Sequence, residues 1–211
     1  NREYPEIDAL IKKTYINQST AQKTKLYDMY ARFFRWASNR LSENGVLAFV
    51  TNSSFINART YDGFRKVVAE EFAEIYVVDL GGDVRKNPKL SGTKNNVFGI
   101  QTGVAISFMV KNSKYDGKCK IFYARCPEMD TAAEKLEFLR TTKFDHVNFE
   151  HIPPDKNHNW IYLTDNDFDA LLLLADKKMK LAKLPQDVQA VFKLFSLGVV
   201  TSRDDWSYSF D

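Results

Sequence analysis

The residues best suited to chemistry lie between Asp83 and Phe98. Over positions 83–96, Arg85, Lys86, Lys89 and Lys94 face one acid, Asp83, a local balance of four minus one, or +3. The whole chain also carries +3, from 30 Lys and Arg against 27 Asp and Glu, so the excess sits in this stretch. A localised basic loop suits a polyanion such as a nucleic-acid backbone. A solvated surface loop is the plainer explanation when charge is the only observation. Phe98 follows directly, among the small polar residues Asn95, Asn96, Gly99, Gln101 and Thr102. An aromatic ring at the mouth of a sheet beside a basic loop can stack on a nucleobase. Composition by itself favours a core phenylalanine, since Phe is usually buried.

Other chemistries find weaker support. Six residues separate Cys119 from Cys126, and His146, His151 and His158 follow. Structural zinc sites use pairs two to four apart, so no metal site is expected. No Gly-x-Ser-x-Gly marks a nucleophile, and no Walker-type phosphate cradle occurs. Asp79-Leu80-Gly81-Gly82-Asp83 looks like a glycine loop after a strand, but no helical pattern follows it.

The elements that must carry the loop can be read from periodicity. The 211 residues are 44% hydrophobic and 27% charged, with 16 Phe, 10 Tyr and 3 Trp, a composition that buries a core and excludes wholesale disorder. The longest apolar run, Ala170 to Ala175, is too short to span a bilayer. Two cysteines make no disulfide framework, so a reducing compartment, the cytoplasm, is expected. Helical spacing covers 3–18 and 21–42, the second capped by Ser19 or Thr20 and ended at Asn44-Gly45. Tyr30 falls on the apolar stripe of that helix with Leu26, Phe33, Phe34, Ala37 and Leu41, which favours core packing. Val46 to Val50 and Ile75 to Leu80 read as buried parallel strands flanking a helix over 60–72, a βαβ crossover. Val97 to Lys111 reads as a long strand, joined by a turn at 113–117 to a hairpin partner at 118–125. Beyond Pro127 the pattern loosens. A short polar helix is expected over 131–140, irregular chain over 144–160, an amphipathic helix over 165–179 and short strands over 192–210. The expected boundary gives 1–126 as a packed α/β unit and 127–211 as a looser α+β tail.

Three stretches resemble one family. Ala21-Gln22-Lys23-Thr24-Lys25-Leu26-Tyr27-Asp28-Met29-Tyr30 and the run from Gly82 through Val97-Phe98-Gly99-Ile100 are similar to the N6-adenine methylase module of the single-polypeptide type I-like (type ISP) restriction-modification enzymes. Ser196 to Asp204 resembles the segment leading into that family's target-recognition region. The resemblance implies an α/β fold: the C-terminal half of a Rossmann-like, S-adenosylmethionine-dependent methyltransferase sheet. In such a sheet an antiparallel last strand slots between two parallel ones. Residues 127–211 would then be a linker and the start of target recognition.

The resemblance also implies roles. Phe98 would stack on a flipped adenine, and Tyr30 would lie near the adenine of the cofactor. Arg85, Lys86, Lys89 and Lys94 would contact DNA phosphates, with Arg203 and Trp206 in target recognition. The family needs a glycine-rich cofactor loop and an Asn/Asp-Pro-Pro-Tyr/Phe motif that holds the target amino group. Neither occurs here, and Pro153-Pro154 is flanked by Ile152 and Asp155 instead. The first residue is Asn1, as expected of a processed chain or one cut from a longer protein. By itself the chain is therefore expected to be inactive, with no catalytic residue of its own. The parent would methylate double-stranded DNA and also carry nuclease and helicase parts. The rival reading is a non-catalytic DNA-binding module, and a third is an RNA or small-molecule methyltransferase. The edge of a half-sheet would favour dimerisation or aggregation.

Overall fold

The computed structural model describes residues 4–19, 26–87, 89–90, 92–163, 171–175 and 190–192. Asn1–Leu163 form one compact unit and Thr164–Asp211 a second. The first unit is built on five strands: β1 (Gly45–Asn52), β2 (Glu74–Gly81), β3 (Val104–Lys111), β4 (Lys120–Arg125) and the two-residue β5 (Glu150–His151). Their order across the sheet is β1-β3-β2-β4-β5. β3 runs antiparallel to both β1 and β2, so those two are parallel to each other, and β4 pairs parallel with β2. An antiparallel strand between two parallel ones is the arrangement that the resemblance implied for these three segments.

The expected hairpin between the strand ending at Lys111 and the strand over 118–125 does not form. Both ladder edges of β3 are already taken by β1 and β2, so the chain passes β2 and pairs on its far edge, from Glu74↔Lys120 to Asp79↔Arg125. β3 also starts at Val104, seven residues later than the alternation suggests. The intervening amides of Phe98 and Ile100 bond to the Asn96 side chain instead of a ladder, and Gly99 turns the chain at φ 66°.

β2 is buried on both faces, as a central strand must be. Ile75 and Val77 point into a core shared with α1 (Pro5–Ile11), α2 (Met29–Ser38), α3 (Ser54–Asn57) and α4 (Asp62–Glu71). Val78 and Leu80 point the other way, against Phe138 and Leu139 of α5 (Ala132–Thr141). Phe64 of α4 centres the larger core, edge-on to Phe34 at 5.0 Å and to Tyr15 at 5.1 Å. Residues 127–163 pack with this unit: Ile152 and Trp160 are in the same core, and Trp160 sits edge-on to Phe55.

Helix ends depart from the periodic reading for local reasons. After α1 the chain relaxes into a π-helical stretch, Lys12–Ile16. Gly63 allows its close approach to α4, since a Cβ there would lie 2.0 Å from the Tyr15 carbonyl oxygen. α2 starts at Met29, capped by Asp28, whose Oδ1 accepts from the Ala31 amide at 2.7 Å. Ser19 bonds Asp62 instead of capping, and Thr20 is outside the described residues. α2 ends at Ser38, and Gly45 opens β1. The polar helix expected over 131–140 is α5, opened by a capping box between Thr131 and Glu134. Of the helix expected over 165–179, the described residues 171–175 are not helical. Leu173 bridges Ala190 in parallel, because an all-apolar run has no polar face to mark a helix and can pair extended instead. The rest of that helix, and nearly all of the strands expected over 192–210, lie outside the described residues.

Arg65 ties these parts together. Its fully buried guanidinium donates to the carbonyls of Phe55, Ala58 and His158 and to the Asn159 side chain, at 2.7–3.2 Å. Burial pushes its pKa down to about 10, so it stays charged at neutral pH. Arg65→Met is expected to destabilise the fold by about 3–5 kcal/mol, since one buried and two part-buried carbonyls lose their charged donor. Arg65→Lys should recover little, because an ammonium cannot span the fork. Thermal melting followed by circular dichroism checks this, and near-wild-type melting of either variant would refute it.

Candidate nucleic-acid interface at the strand ends

β1, β2 and β4 all end at one edge of the sheet, and β3 begins there. In open α/β sheets this carboxyl edge is where ligands bind. A cleft of about 290 Å³ opens at it, lined by Ser53 after β1, Asp79 and Gly81 of β2, Arg125 of β4, and Asn57, Asp83, Lys86, Asn87, Glu128 and Tyr162. The β2–β3 loop, 82–103, rises from the same edge.

That loop carries the predicted residues. Phe98 is 63% exposed, so it is not a core residue. Arg85, Lys86, Lys89 and Lys94 are all exposed. They are not equivalent. Lys86 donates to Asn57 Oδ1 at 2.9 Å and lies 3.7 Å from Asp83, which draws it into the cleft wall. Arg85 reaches Gln101 at 3.4 Å, a weak contact. Asp83 caps the turn beneath them, with Oδ1 accepting from the amides of Arg85 and Lys86.

The loop stands on a buried polar base that the sequence pattern did not distinguish from its surroundings. Asn95 and Asn96, grouped there as small polar neighbours of Phe98, are both buried. Asn95 Nδ2 donates to the carbonyls of Met129 and Asp130, and the Asn95 carbonyl accepts from Lys135 Nζ at 2.7 Å. Lys135, on α5, is fully buried, and burial lowers its pKa. Gly82, at φ 75°, lets the loop neck close: a Cβ there would meet the Asn95 carbonyl oxygen at 2.7 Å.

Asp79 was also missed as a separate residue, since the glycine pair beside it drew attention to a phosphate cradle. It is buried at the end of β2, with its carboxylate accepting from Tyr123 Oη and the Gly81 amide, each at 2.8 Å. Arg125 stands 3.8 Å away and also pairs with Glu128. Burial, then the Asp79 charge, pushes the Tyr123 hydroxyl well above its ordinary range, so it remains a donor. An acid ending an apolar strand was the available signal.

Tyr30 is 37% exposed, not packed in the core. With α2 starting at Met29, the buried face runs through Ala31, Phe34, Arg35 and Ser38, which turns Tyr30 and Phe33 outward. Cys119 and Cys126 are free thiols that do not line the cleft, and burial pushes Cys119 up to about 12. Arg203 and Trp206 lie outside the described residues.

Comparison with known proteins bears on this arrangement. Residues 3–85 match the family model of the Eco57I restriction-modification methylase. The structure is similar to a segment of the DrdV–DNA complex, at 51% identity over 98% of this chain with a TM-score of 0.83. Two ATP-dependent or nuclease-deleted type ISP restriction-modification enzymes bound to DNA or a DNA mimic, LlaBIII and LlaGI, match 84% of this chain at 34% identity, with TM-scores of 0.78 and 0.77. The chain spans 20%, 12% and 15% of the lengths of those three chains. A search of curated proteins gave no significant match. The fold and these matches together make this chain similar to a segment of restriction-modification methylases. Its likeness is to the methylase module of the type ISP enzymes.

The buried base predicts a measurable coupling between α5 and the loop. Lys135→Met keeps the volume and removes the donor, leaving the Asn95 carbonyl unpaired at a cost of about 1–3 kcal/mol. Amide hydrogen exchange over residues 94–101 should accelerate while β1–β3 amides stay protected. Unchanged exchange in the loop would show that α5 does not support it.

Proposed function

We propose that this chain is part of a site-specific adenine-N6 DNA methyltransferase of a restriction-modification system, with residues 1–126 as the C-terminal half of a Rossmann-like catalytic sheet. In the intact protein a methyl group passes from S-adenosylmethionine to a flipped adenine. The observation that carries the reading is Phe98: a large aromatic held exposed at the carboxyl edge of the sheet, on a loop with a buried base. The identity to the DrdV–DNA segment supports it.

In this reading Phe98 offers its ring face to the extruded base. Such a stack is worth ~1–3 kcal/mol, enough to offset a good part of the few kcal/mol that flipping costs. Arg85, Lys89 and Lys94 contact phosphates, which fixes register without reading sequence. Lys86 joins them by leaving Asp83 and Asn57.

This sequence has no glycine-rich loop of the kind that the family uses to hold S-adenosylmethionine. Of the glycine pair at the end of β2, Gly82 is packed against the chain's own Asn95 and Asn96, while Gly81 lines the cleft. The donor would therefore be held mainly by other parts of the parent. Tyr30, exposed on α2, would lie near the adenine of the cofactor in the parent.

Two measurements on the full-length parent test the reading. Replacing Arg85, Lys86, Lys89 and Lys94 together with Ala should weaken DNA binding on any sequence and reduce the slope of log affinity against log salt by up to about four. A preserved slope would make the loop a solvated surface. Phe98→Ala should lose about 10–100-fold in methyl transfer, or ~1.4–2.7 kcal/mol, with melting unchanged. Phe98→Trp should retain more activity than Phe98→Leu, since the π-face does the stacking. Leu matching Trp would end the stacking role. Weakened DNA binding with methylation intact would favour a recognition module.

A further inference from the structure

We propose that Asn96 is a positioning residue for Phe98, setting the ring in its working orientation before DNA arrives. The inference rests on Phe98 being the base-stacking residue and goes beyond it to what holds that ring in place.

The geometry is specific. Phe98 is 63% exposed, whereas Asn96, two residues earlier, is 3% exposed. The Asn96 side chain satisfies both of its ends from the backbone of this one loop. Nδ2 donates to the carbonyls of Gly82, at 3.2 Å, and Thr102, at 2.8 Å, the two strands of the loop neck. Oδ1 accepts from the amides of Phe98, at 3.0 Å, and Ile100, at 3.3 Å. An asparagine amide has two donors and an acceptor oxygen with two lone pairs, so one side chain both closes the neck and orients the peptide planes that precede Phe98 and Ile100. Gly99 between them turns back at φ 66°, and its amide donates to the Asn96 carbonyl at 3.0 Å. The Phe98 backbone is thus fixed by bonds that owe nothing to the ring, which is left free for a ligand. A group ordered in advance does not have to be ordered on binding, and a displacement of about 1 Å at a reacting site can cost on the order of 100-fold in rate.

A merely structural asparagine would lower stability and weaken every property of the loop alike. A positioning residue acts through Phe98 and is silent when that ring is removed. The test is a double-mutant cycle in the full-length parent, reading kcat and KM for DNA for Asn96→Ala and Phe98→Ala, alone and combined. A companion readout is the fluorescence of 2-aminopurine placed at the target adenine.

Asn96→Ala is expected to lower kcat about tenfold with KM for DNA within about twofold, and to change the fluorescence as Phe98→Ala does. In the Phe98→Ala background it should lower kcat by less than about twofold. Asn96→Ser, which supplies a single hydroxyl but cannot span both bond pairs, should fall between, and it carries the same cycle if Asn96→Ala does not fold. Additive losses in kcat, or a loss confined to KM, would overturn the positioning role while leaving Phe98 as the stacking residue. Wild-type activity of Phe98→Ala would overturn the stacking role and this inference with it.

Discussion

The insertion of β3 between β1 and β2 governs the architecture of the functional edge. A chain leaving the carboxyl end of β2 and returning antiparallel beside it must start and finish its connection at the same edge. The β2–β3 loop therefore has a narrow neck and a projecting tip, whatever its sequence. The neck is tight: the Ser53 amide donates to the Gly103 carbonyl at 2.8 Å, and a Cβ on Gly103 would meet Ser53 Oγ at 2.6 Å. The same insertion consumes both edges of β3, sends β4 to the far side of β2, and brings Arg125 alongside Asp79.

Buried polar groups then make a mobile kind of element hold one shape. Loops rich in Asn, Gly and Lys have little apolar surface to bury, so burial alone cannot order them. Here Asn95, Asn96 and Lys135 do so through hydrogen bonds to backbone carbonyls, and Arg65 does the same for the 155–160 segment on the other face. Such groups are costly to bury unless paired, which makes the paired arrangement far more favourable than any displaced one.

Charge is layered at this edge. Carboxylates of Asp79, Asp83 and Glu128 line the cleft, and the cations stand on the loop above. The acids are not free to repel a polyanion at close range, since Asp79 and Glu128 are paired with Arg125 and Asp83 with Lys86. Pairing inside the cleft leaves Arg85, Lys89 and Lys94 as the outward field, and exposed charges of that kind act over about one Debye length, ~8–10 Å.

The sequence by itself determined what depends on local pattern. Apolar runs at 46–50 and 75–80 mark strands, although the first is not buried as expected, since Val46 and Val50 leave one of its faces exposed; Thr131 and Glu134 cap a helix by their spacing, and the cations of the 83–96 stretch are too numerous to bury. The resemblance quoted above also anticipated the antiparallel strand between two parallel ones. Tertiary structure decided the rest. Alternation over 118–125 marks a strand but not its partner, which depended on which edges β3 left open. A stripe through Tyr30 marks a helix but not its phase, which Asp28 set by fixing where the first turn begins. Phe98 looked like a core residue by type, and its exposure followed from Asn96 two positions earlier, whose bonds reach to Gly82 and Thr102 across the loop neck. Contacts between residues distant in sequence leave no periodic trace, so the base of the site stayed invisible while its charged tip was plain.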